Sequence, residues 1–181
     1  MVMPGCTAEE PEVPYNIAGA SALETCGMTE QLDAMVAICR ARGGRMTPQR
    51  RAVLAKLVEA KQPLSAYDLL DRLKLADASA TPASTYRSLD FLVEHGLVHR
   101  LETTRSFIAC DHPDHAHAVQ FLICRECGIV VEAEDKRIAS ATKALGDRLG
   151  FSVDQRTVEL TGVCARCTSD SGHPGETTPH T

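Results

Sequence analysis

Apolar positions follow a helical period through the first half of the chain. Between residues 29 and 42 they recur at intervals of three and four, which places them on one helix face. A second helix is predicted to begin after Thr47, which can cap it, with Pro48 at the first helical position. Ser65 and Thr81 supply similar signals for a third and a fourth helix. The apolar stripes of the first three helices are Leu32, Met35, Val36 and Cys39, then Val53, Leu54, Leu57 and Val58, then Leu69, Leu70 and Leu73.

The pattern changes after Gly96, which is expected to end the fourth helix at His95. Residues 97–101 and 106–110 are rich in β-forming side chains and are separated by a short polar segment, so they predict a β-hairpin. Helices followed by such a hairpin are typical of a winged-helix domain. In that domain the fourth helix enters the major groove of DNA and the hairpin flanks the backbone.

Strand-like and helical segments alternate in the second half of the chain. Strands are predicted over 119–123, 129–132 and 151–160, and a helix over 135–149 that Gly150 would end. The apolar stripe of this helix is Ile138, Ala141, Leu145 and Leu149.

These elements predict an α+β fold. An N-terminal winged-helix DNA-binding domain would span 29–110, and a small α/β domain that carries a four-cysteine zinc site would span 111–167. Residues 1–28 and 168–181 show no usable period and are rich in small and turn-forming residues, so they are expected to be flexible.

Composition and charge limit the classes of protein to which this chain can belong. No apolar run approaches the roughly 20 residues that a membrane-spanning helix needs, and residues 1–30 contain no lysine or arginine to begin a secretion signal. We therefore expect a cytoplasmic chain whose eight cysteines stay reduced. The net charge of −5 divides into −6 over 1–39, +5 over 40–105 and −4 over 106–181. A basic middle segment between acidic flanks is expected if that segment faces phosphates.

Two CxxC pairs carry the most specific chemistry. Cys124 and Cys127 precede Gly128, which permits the positive φ of a tight turn, and a second pair follows at Cys164 and Cys167. Two residues between cysteines let one turn aim both sulfurs at one ion, and four thiolates at about 2.3 Å form a closed structural zinc site. A redox dithiol would not need a twin pair, and disulfides do not suit a reducing compartment.

Further candidate ligands gather near the predicted domain boundary. They are His99, Cys110, His112, His115, His117 and Glu132. Two neutral imidazoles, one thiolate and one carboxylate would balance the charge of Zn²⁺, and a thiolate favours zinc over harder ions. The spacing alone leaves two alternatives, a second metal site or a group of solvated surface histidines.

With these pieces placed, the sequence resembles the ferric uptake regulator (Fur) family, and most of all its zinc uptake regulator (Zur) branch. The resemblance covers about residues 30–167 and rests on MTPQR at 46–50, SAYDLL at 65–70, STYRSLDFL at 84–92, GLVH at 96–99 and both CxxC pairs. It implies a homodimeric, zinc-dependent repressor of zinc-acquisition genes that binds palindromic operators in double-stranded DNA, with a C-terminal dimerisation domain.

Carried over by position, the resemblance assigns two zinc ions per chain. A structural zinc would lie on the four cysteines of the CxxC pairs. A sensing zinc would lie on His99, Cys110, His117 and Glu132. The sequence departs from the common iron-type pattern, a His-His-Asp-His run before the first CxxC pair, because it has DHPDHAH instead. His112 and His115 therefore stay open, as auxiliary ligands or as solvated side chains.

The same mapping makes Tyr67 and Arg87 the groove-facing DNA contacts, with Tyr86 beside Arg87 on the recognition helix. A guanidinium can bond guanine O6 and N7 together, although a phosphate contact or an intrahelical pair is the alternative for Arg87. Tyr67 would meet base methyls or a phosphate, with a core tyrosine as the alternative. Further candidate phosphate contacts, each with a solvated surface role as its alternative, are Arg45, Arg50, Arg51 and Arg105.

The sequence thus predicts a non-enzymatic, zinc-responsive repressor. An iron- or peroxide-responsive regulator of the same family is the first alternative, but it would prefer histidine and carboxylate ligands where Cys110 stands. A zinc hydrolase needs an open coordination position, which four thiolates do not leave. A zinc-stabilised interaction module without DNA binding is the alternative from another class, and it would leave the basic segment 40–105 without a purpose.

Overall fold

The computed structural model describes residues 24–114, 119–153 and 157–171, which form helices and two small sheets. The helices are α1 (Glu24–Ala41), α2 (Pro48–Ala60), α3 (Ala66–Lys74), α4 (Pro82–Glu94), α5 (Lys136–Leu149) and α6 (Ala165–Ser171). The strands are β1 (Leu64–Ser65), β2 (Val98–Leu101), β3 (Ser106–Ala109), β4 (Val119–Cys124), β5 (Val130–Ala133) and β6 (Thr157–Gly162). Among these residues no helix combines the length and the apolar character that crossing a membrane requires.

Three N-terminal helices begin at the predicted capping residues. The hydroxyl of Thr47 accepts a backbone N–H bond from the first turn of α2 at 3.3 Å. Ser65 and Asp68 form a reciprocal capping box at the start of α3, with distances of 3.1 and 3.3 Å. Thr81 forms a corresponding box with Ser84 at the start of α4. These side chains bond N–H groups that a helix cannot satisfy by itself, which is why the sequence marks these helix starts clearly.

The first four helices and a three-stranded sheet enclose one apolar core. Cys39, predicted to be a core residue, is fully buried there. The predicted hairpin is formed by β2 and β3, which pair antiparallel with Val98 opposite Ala109, and we call this hairpin the wing. Strand β1 adds to the wing through β3 and was not predicted, because a two-residue strand is too short to show a period.

The second sheet has the strand order β5-β4-β6. Strand β4 pairs antiparallel with β5 and parallel with β6, and α5 lies between β5 and β6 in the chain. Phe121 in the central strand stands opposite Glu132 on β5 and Glu159 on β6. Phe121 also packs in a buried cluster with Leu101 of the wing. The wing therefore rests on one face of the C-terminal sheet.

Most predicted element ends agree with the structure to within one residue, and larger differences occur at both ends of the chain and before β6. Helix α1 begins at Glu24, and α6 extends to Ser171, so parts of the predicted flexible ends are helical. The strand predicted over 151–160 is wrong in its first part, because residues 151–153 are not strand and β6 begins at residue 157. Pairing with β4, rather than local β propensity, determines where this strand lies. Residues 1–23 and 172–181 lie outside the described residues.

Gly44 lets the loop between α1 and α2 approach the end of α4. A Cβ at this position would lie 2.5 Å from the His95 ring and 2.6 Å from Cys39 Sγ. We expect Gly44→Ala to lower the free energy of unfolding by about 1–3 kcal/mol, because the added methyl must displace packed side chains. Urea denaturation at fixed zinc concentration measures the change.

Gly27→Ala is the matched control for this substitution. A Cβ at Gly27 meets no atom within 4 Å, and alanine is the better helix former in α1. The control should be neutral or stabilising. An unchanged unfolding midpoint for Gly44→Ala would contradict the close approach of the loop to His95.

Candidate metal centres and nucleic-acid interface

The four cysteines of the CxxC pairs converge on one point, with their sulfurs all within 4.8 Å of one another. The sulfurs of Cys127 and Cys164 are 3.7 Å apart. Four sulfurs at about 2.3 Å from one zinc ion would be separated by roughly 3.8 Å, whereas a disulfide needs about 2.05 Å. The geometry therefore fits a tetrahedral metal site.

Backbone hydrogen bonds bring the two pairs together. Cys124 ends β4, and Gly128 donates its N–H to the Cys124 carbonyl at 2.9 Å to close the turn of the first pair. Gly128 has a φ of +71°, which permits this turn. The N–H of Arg125 then donates to the Gly162 carbonyl of β6 at 2.9 Å, two residues before Cys164. Parallel pairing of β4 with β6 thus delivers both pairs to the same end of the sheet.

The electrostatics of these thiols favour a bound cation. Backbone N–H donors of Cys127 and Cys164 lower the pKa of Cys124 to about 6. Hydrogen bonding with the surrounding sulfurs, of which Cys127 has the largest effect, raises the pKa of Cys167 to about 12. Thiols this close cannot all lose their protons unless positive charge compensates them. Zinc would supply that charge and bind all four as thiolates.

A second cluster lies at the junction between the wing and the C-terminal sheet. Nε2 of His99 is 3.7 Å from Oε2 of Glu132, and Sγ of Cys110 is 3.8 Å from Oε1 of the same carboxylate. One ligand atom from each of these residues lies within 4.8 Å of the others. We call His99, Cys110 and Glu132 the junction cluster. Its members come from β2, from the end of β3 and from β5.

The junction cluster is largely shielded from water. The side chains of His99 and Glu132 are 20% and 4% exposed, and Cys110 is fully buried. The edge of the Phe121 ring faces His99, with 5.2 Å between the ring centroids. Burial, followed by the negative charge of Glu132, raises the pKa of Cys110 to about 12. An imidazole, a thiol and a carboxylate held this way are suited to a divalent ion of the zinc class.

The remaining histidines predicted as metal ligands are not among the three residues of the junction cluster. His115 and His117 lie outside the described residues. His112 is described and exposed, and it is not part of the junction cluster. The structure therefore brings together three of the four residues that the resemblance assigned to the sensing site.

The predicted DNA-reading residues lie on the surface of the N-terminal domain. Tyr67, in the first turn of α3, is 72% exposed, which rules out the alternative of a core tyrosine. Tyr86 and Arg87 are exposed on α4, whereas the adjacent Ser88 is buried. Leu89 packs into the core from the opposite side of this helix. Helix α4, the predicted recognition helix, thus presents a tyrosine and an arginine to solvent.

The four arginines predicted as phosphate contacts have different surroundings. Arg45 is exposed, and Arg105 lies at the wing tip with a φ of +52°. The guanidinium of Arg50 lies 3.5 Å from the centre of the Phe91 ring on α4. Arg51 forms a 2.8 Å ion pair with a carboxylate of α1. Arg50 and Arg51 therefore have structural partners that the sequence did not indicate.

Arg42 is a residue that the sequence analysis missed. Its guanidinium donates to the carbonyl of His95, just after α4, at 2.7 Å, and to the carbonyl of Pro113 in the segment that follows the wing. Both acceptors are backbone atoms far away in sequence, so no local pattern could have identified this contact. Arg42 connects the segment next to the junction cluster with the end of the recognition helix.

Comparisons with known proteins agree with this geometry. The Zinc uptake regulation protein of Escherichia coli strain K12 is 40% identical over 133 residues, which are 72% of this chain and 77% of that protein. A solved zinc uptake regulator in complex with zinc and DNA has a TM-score of 0.76 at 36% identity, covering 81% of this chain and 98% of that chain. The holo form of XcZur has a TM-score of 0.71 at 41% identity, covering 77% and 98%.

These similarities confirm the predicted fold class, with a winged-helix half and a half that carries the four-cysteine cluster. The sequence pattern of the Ferric uptake regulator family matches residues 41–161, more than half of the chain. The protein therefore belongs to the Ferric uptake regulator family.

Proposed function

We propose that the chain is a zinc-responsive transcriptional repressor that binds palindromic operators of zinc-uptake genes as a homodimer in the cytoplasm. The observation that carries this proposal is the junction cluster, because its ligands come from the wing and from the C-terminal sheet. Zinc uptake regulators that are 36–41% identical to this chain cover 72–81% of it, whereas the peroxide regulators that also match are 26–30% identical, and this difference supports zinc as the ligand.

Two zinc sites per chain are proposed. The four cysteines would hold a structural zinc, since four thiolates leave no position open for exchange. His99, Cys110 and Glu132 would hold the sensed zinc, with His117 as the fourth ligand. The thiol of Cys110 favours zinc over the harder ions that an iron or peroxide sensor binds.

Occupancy of the junction cluster is proposed to govern the position of the DNA-binding domain. His99, Cys110 and Glu132 can share one ion only when the wing lies on the C-terminal sheet. A ligand that binds this arrangement alone shifts the population toward it. Arg42 extends the connection, because it bonds the segment after Cys110 to the end of the recognition helix.

The exposed side chains of the N-terminal domain would read DNA. Arg87 stands on α4, and its guanidinium would bond guanine in the major groove. Tyr67 and Tyr86 would contact base methyls or phosphates beside it. Arg45, with its exposed side chain, would contact a phosphate.

The C-terminal domain has an apolar surface that a second copy would cover. Residues of the predicted α5 stripe are exposed rather than buried, with Leu145 at 47% and Leu149 at 62%. Other large apolar side chains exposed in this domain are Leu122, Phe151, Val153 and Leu160. Large apolar side chains left exposed in such number are expected where another protein surface packs. A symmetric dimer through this surface would match the two-fold symmetry of a palindromic operator.

Cys110→Ser should raise the zinc concentration for half-maximal operator binding by about 100-fold or more, because a thiolate is the strongest zinc ligand of the junction cluster. The operator duplex would be selected from random-sequence DNA by the zinc-loaded protein. His112→Ala, an exposed residue outside the cluster, is the control and should bind normally. An unchanged zinc dependence of Cys110→Ser would exclude the junction cluster as the sensor.

Cys124→Ala should unfold the C-terminal domain or abolish dimerisation. A structural zinc contributes folding free energy of order 10 kcal/mol, which this substitution removes while leaving three thiols crowded together. Metal analysis with analytical ultracentrifugation and circular dichroism tests the expectation. A folded dimer that lacks this zinc would contradict the structural assignment.

Arg87→Ala should weaken binding to the selected operator by about 10- to 100-fold, corresponding to about 1–3 kcal/mol, and should relax base preference at one position of each half-site. Arg45→Ala provides the comparison. It should weaken binding to all sequences alike and lower the slope of affinity against salt by about one unit. If Arg87→Ala weakened binding to all sequences equally, Arg87 would contact a phosphate rather than a base. Absence of salt-dependent duplex binding by the wild type would favour an interaction module instead.

A further inference from the structure

One row of side chains crosses the C-terminal sheet beneath the wing. Glu132 on β5, Phe121 on β4 and Glu159 on β6 are register partners, so their side chains project from the same face. Glu132 meets His99 at the beginning of the wing, and the Phe121 ring packs against the wing strand. Glu159 lies at the other end of this row.

The carboxylate of Glu159 binds the tip of the wing. The backbone N–H of Glu102 donates to one of its oxygens at 2.8 Å, and the N–H of Thr103 donates to the other at 2.9 Å. Two successive N–H groups that converge on one carboxylate form a small anion-binding site. This contact joins residues 56 and 57 positions apart in the chain and links the N-terminal domain to the C-terminal sheet. We call it the wing-tip contact.

The turn at the wing tip provides these two donors. Residues 102–105 connect β2 to β3, and a long 3.4 Å bond from the Arg105 N–H to the Glu102 carbonyl lies across the turn. Arg105 adopts a positive φ of 52°, and Thr104 and Ser106 bond each other through their hydroxyls at 2.6 Å. The N–H groups of Glu102 and Thr103 at the start of this turn both point toward Glu159.

The charge state of Glu159 agrees with this contact. Partial burial raises the pKa of Glu159, but the hydrogen bonds from Thr103 and Glu102 outweigh burial, and the net pKa is lowered. The carboxylate is therefore ionised at neutral pH and accepts both N–H bonds as a charged acceptor. The contact is made by protein atoms only.

We propose that Glu159 is a positioning residue that holds the wing tip on the C-terminal sheet and thereby keeps His99 opposite Glu132. The row then has two attachments of different kinds. The wing-tip contact at Glu159 uses backbone donors and no metal ligand, whereas the junction cluster at Glu132 would close around its ion. The wing of this protein thus connects the N-terminal domain to the C-terminal sheet, in addition to any contact it makes with DNA.

The physical consequence is a pre-organised junction cluster. With its tip bonded to Glu159, the wing has fewer orientations to lose when His99 is brought to the ion. Loss of the wing-tip contact should therefore weaken the sensed site without touching any of its ligands. This second part of the inference rests on the proposed function, whereas the wing-tip contact itself does not.

Amide hydrogen exchange by NMR tests the contact directly, on the full chain with its structural zinc and without added zinc. Glu159→Ala should raise the exchange rates of the Glu102 and Thr103 amides by about tenfold. Glu159→Gln keeps one acceptor oxygen and should give an intermediate change. Glu102→Gln is the matched control, because it removes one carboxylate at the wing tip but keeps the backbone donor, and it should not change either rate. Equal exchange rates at both amides in wild type and Glu159→Ala would overturn the contact.

Zinc titration of the same variants tests the consequence. Competition with a chelator should show the sensed site of Glu159→Ala weakened by about three- to tenfold, with the four-cysteine zinc retained at one per chain and Glu102→Gln unchanged. An unchanged zinc affinity together with faster amide exchange would overturn the positioning role and leave the contact in place. If the proposed function failed instead, wild type would show no second zinc site, while the exchange result would stand.

Discussion

A buried carboxylate faces a thiol and an imidazole at the junction of the two domains, and in the proposed function the balance of their charges governs the placement of the DNA-binding half. Glu132 is almost inaccessible to water, and its negative charge helps to hold the proton on Cys110. A cation beside this carboxylate would favour the thiolate form of Cys110. A ligand that supplies this charge stabilises the arrangement in which wing and sheet meet. The charge balance of the junction cluster and the position of the wing on the sheet are therefore linked.

The four-cysteine site makes the sheet beneath the wing a firm platform. Parallel pairing of β4 and β6 brings the CxxC pairs together, and an ion held there would lock that pairing at its end. The same pairing aligns Glu132, Phe121 and Glu159 in one row. The four-cysteine site, which has the most specific ligand pattern in the sequence, thus supports the sheet surface on which the wing rests.

The recognition helix is connected to this junction through its C-terminal end. Arg42 bonds the carbonyl that follows α4 and also the segment after Cys110, while Arg50 stacks on the Phe91 ring of the same helix. These contacts leave Tyr86 and Arg87 exposed and hold the helix that carries them. In the proposed function, the Arg42 guanidinium would carry a change at the junction to the helix that presents Tyr86 and Arg87.

The sequence by itself determined the elements and the chemistry that depend on near neighbours. Thr47, Ser65 and Thr81 marked helix starts because a cap acts within one turn, and the CxxC spacing indicated a metal site because each pair lies in one turn. The junction ligands became distinct from surface histidines only through the resemblance to a family. Tertiary structure alone decided the wing-tip contact of Glu159, the Arg42 bridge and the exposure of the α5 stripe. These features join residues distant in the chain, often through backbone atoms, and such pairings depend on strand register rather than on local sequence.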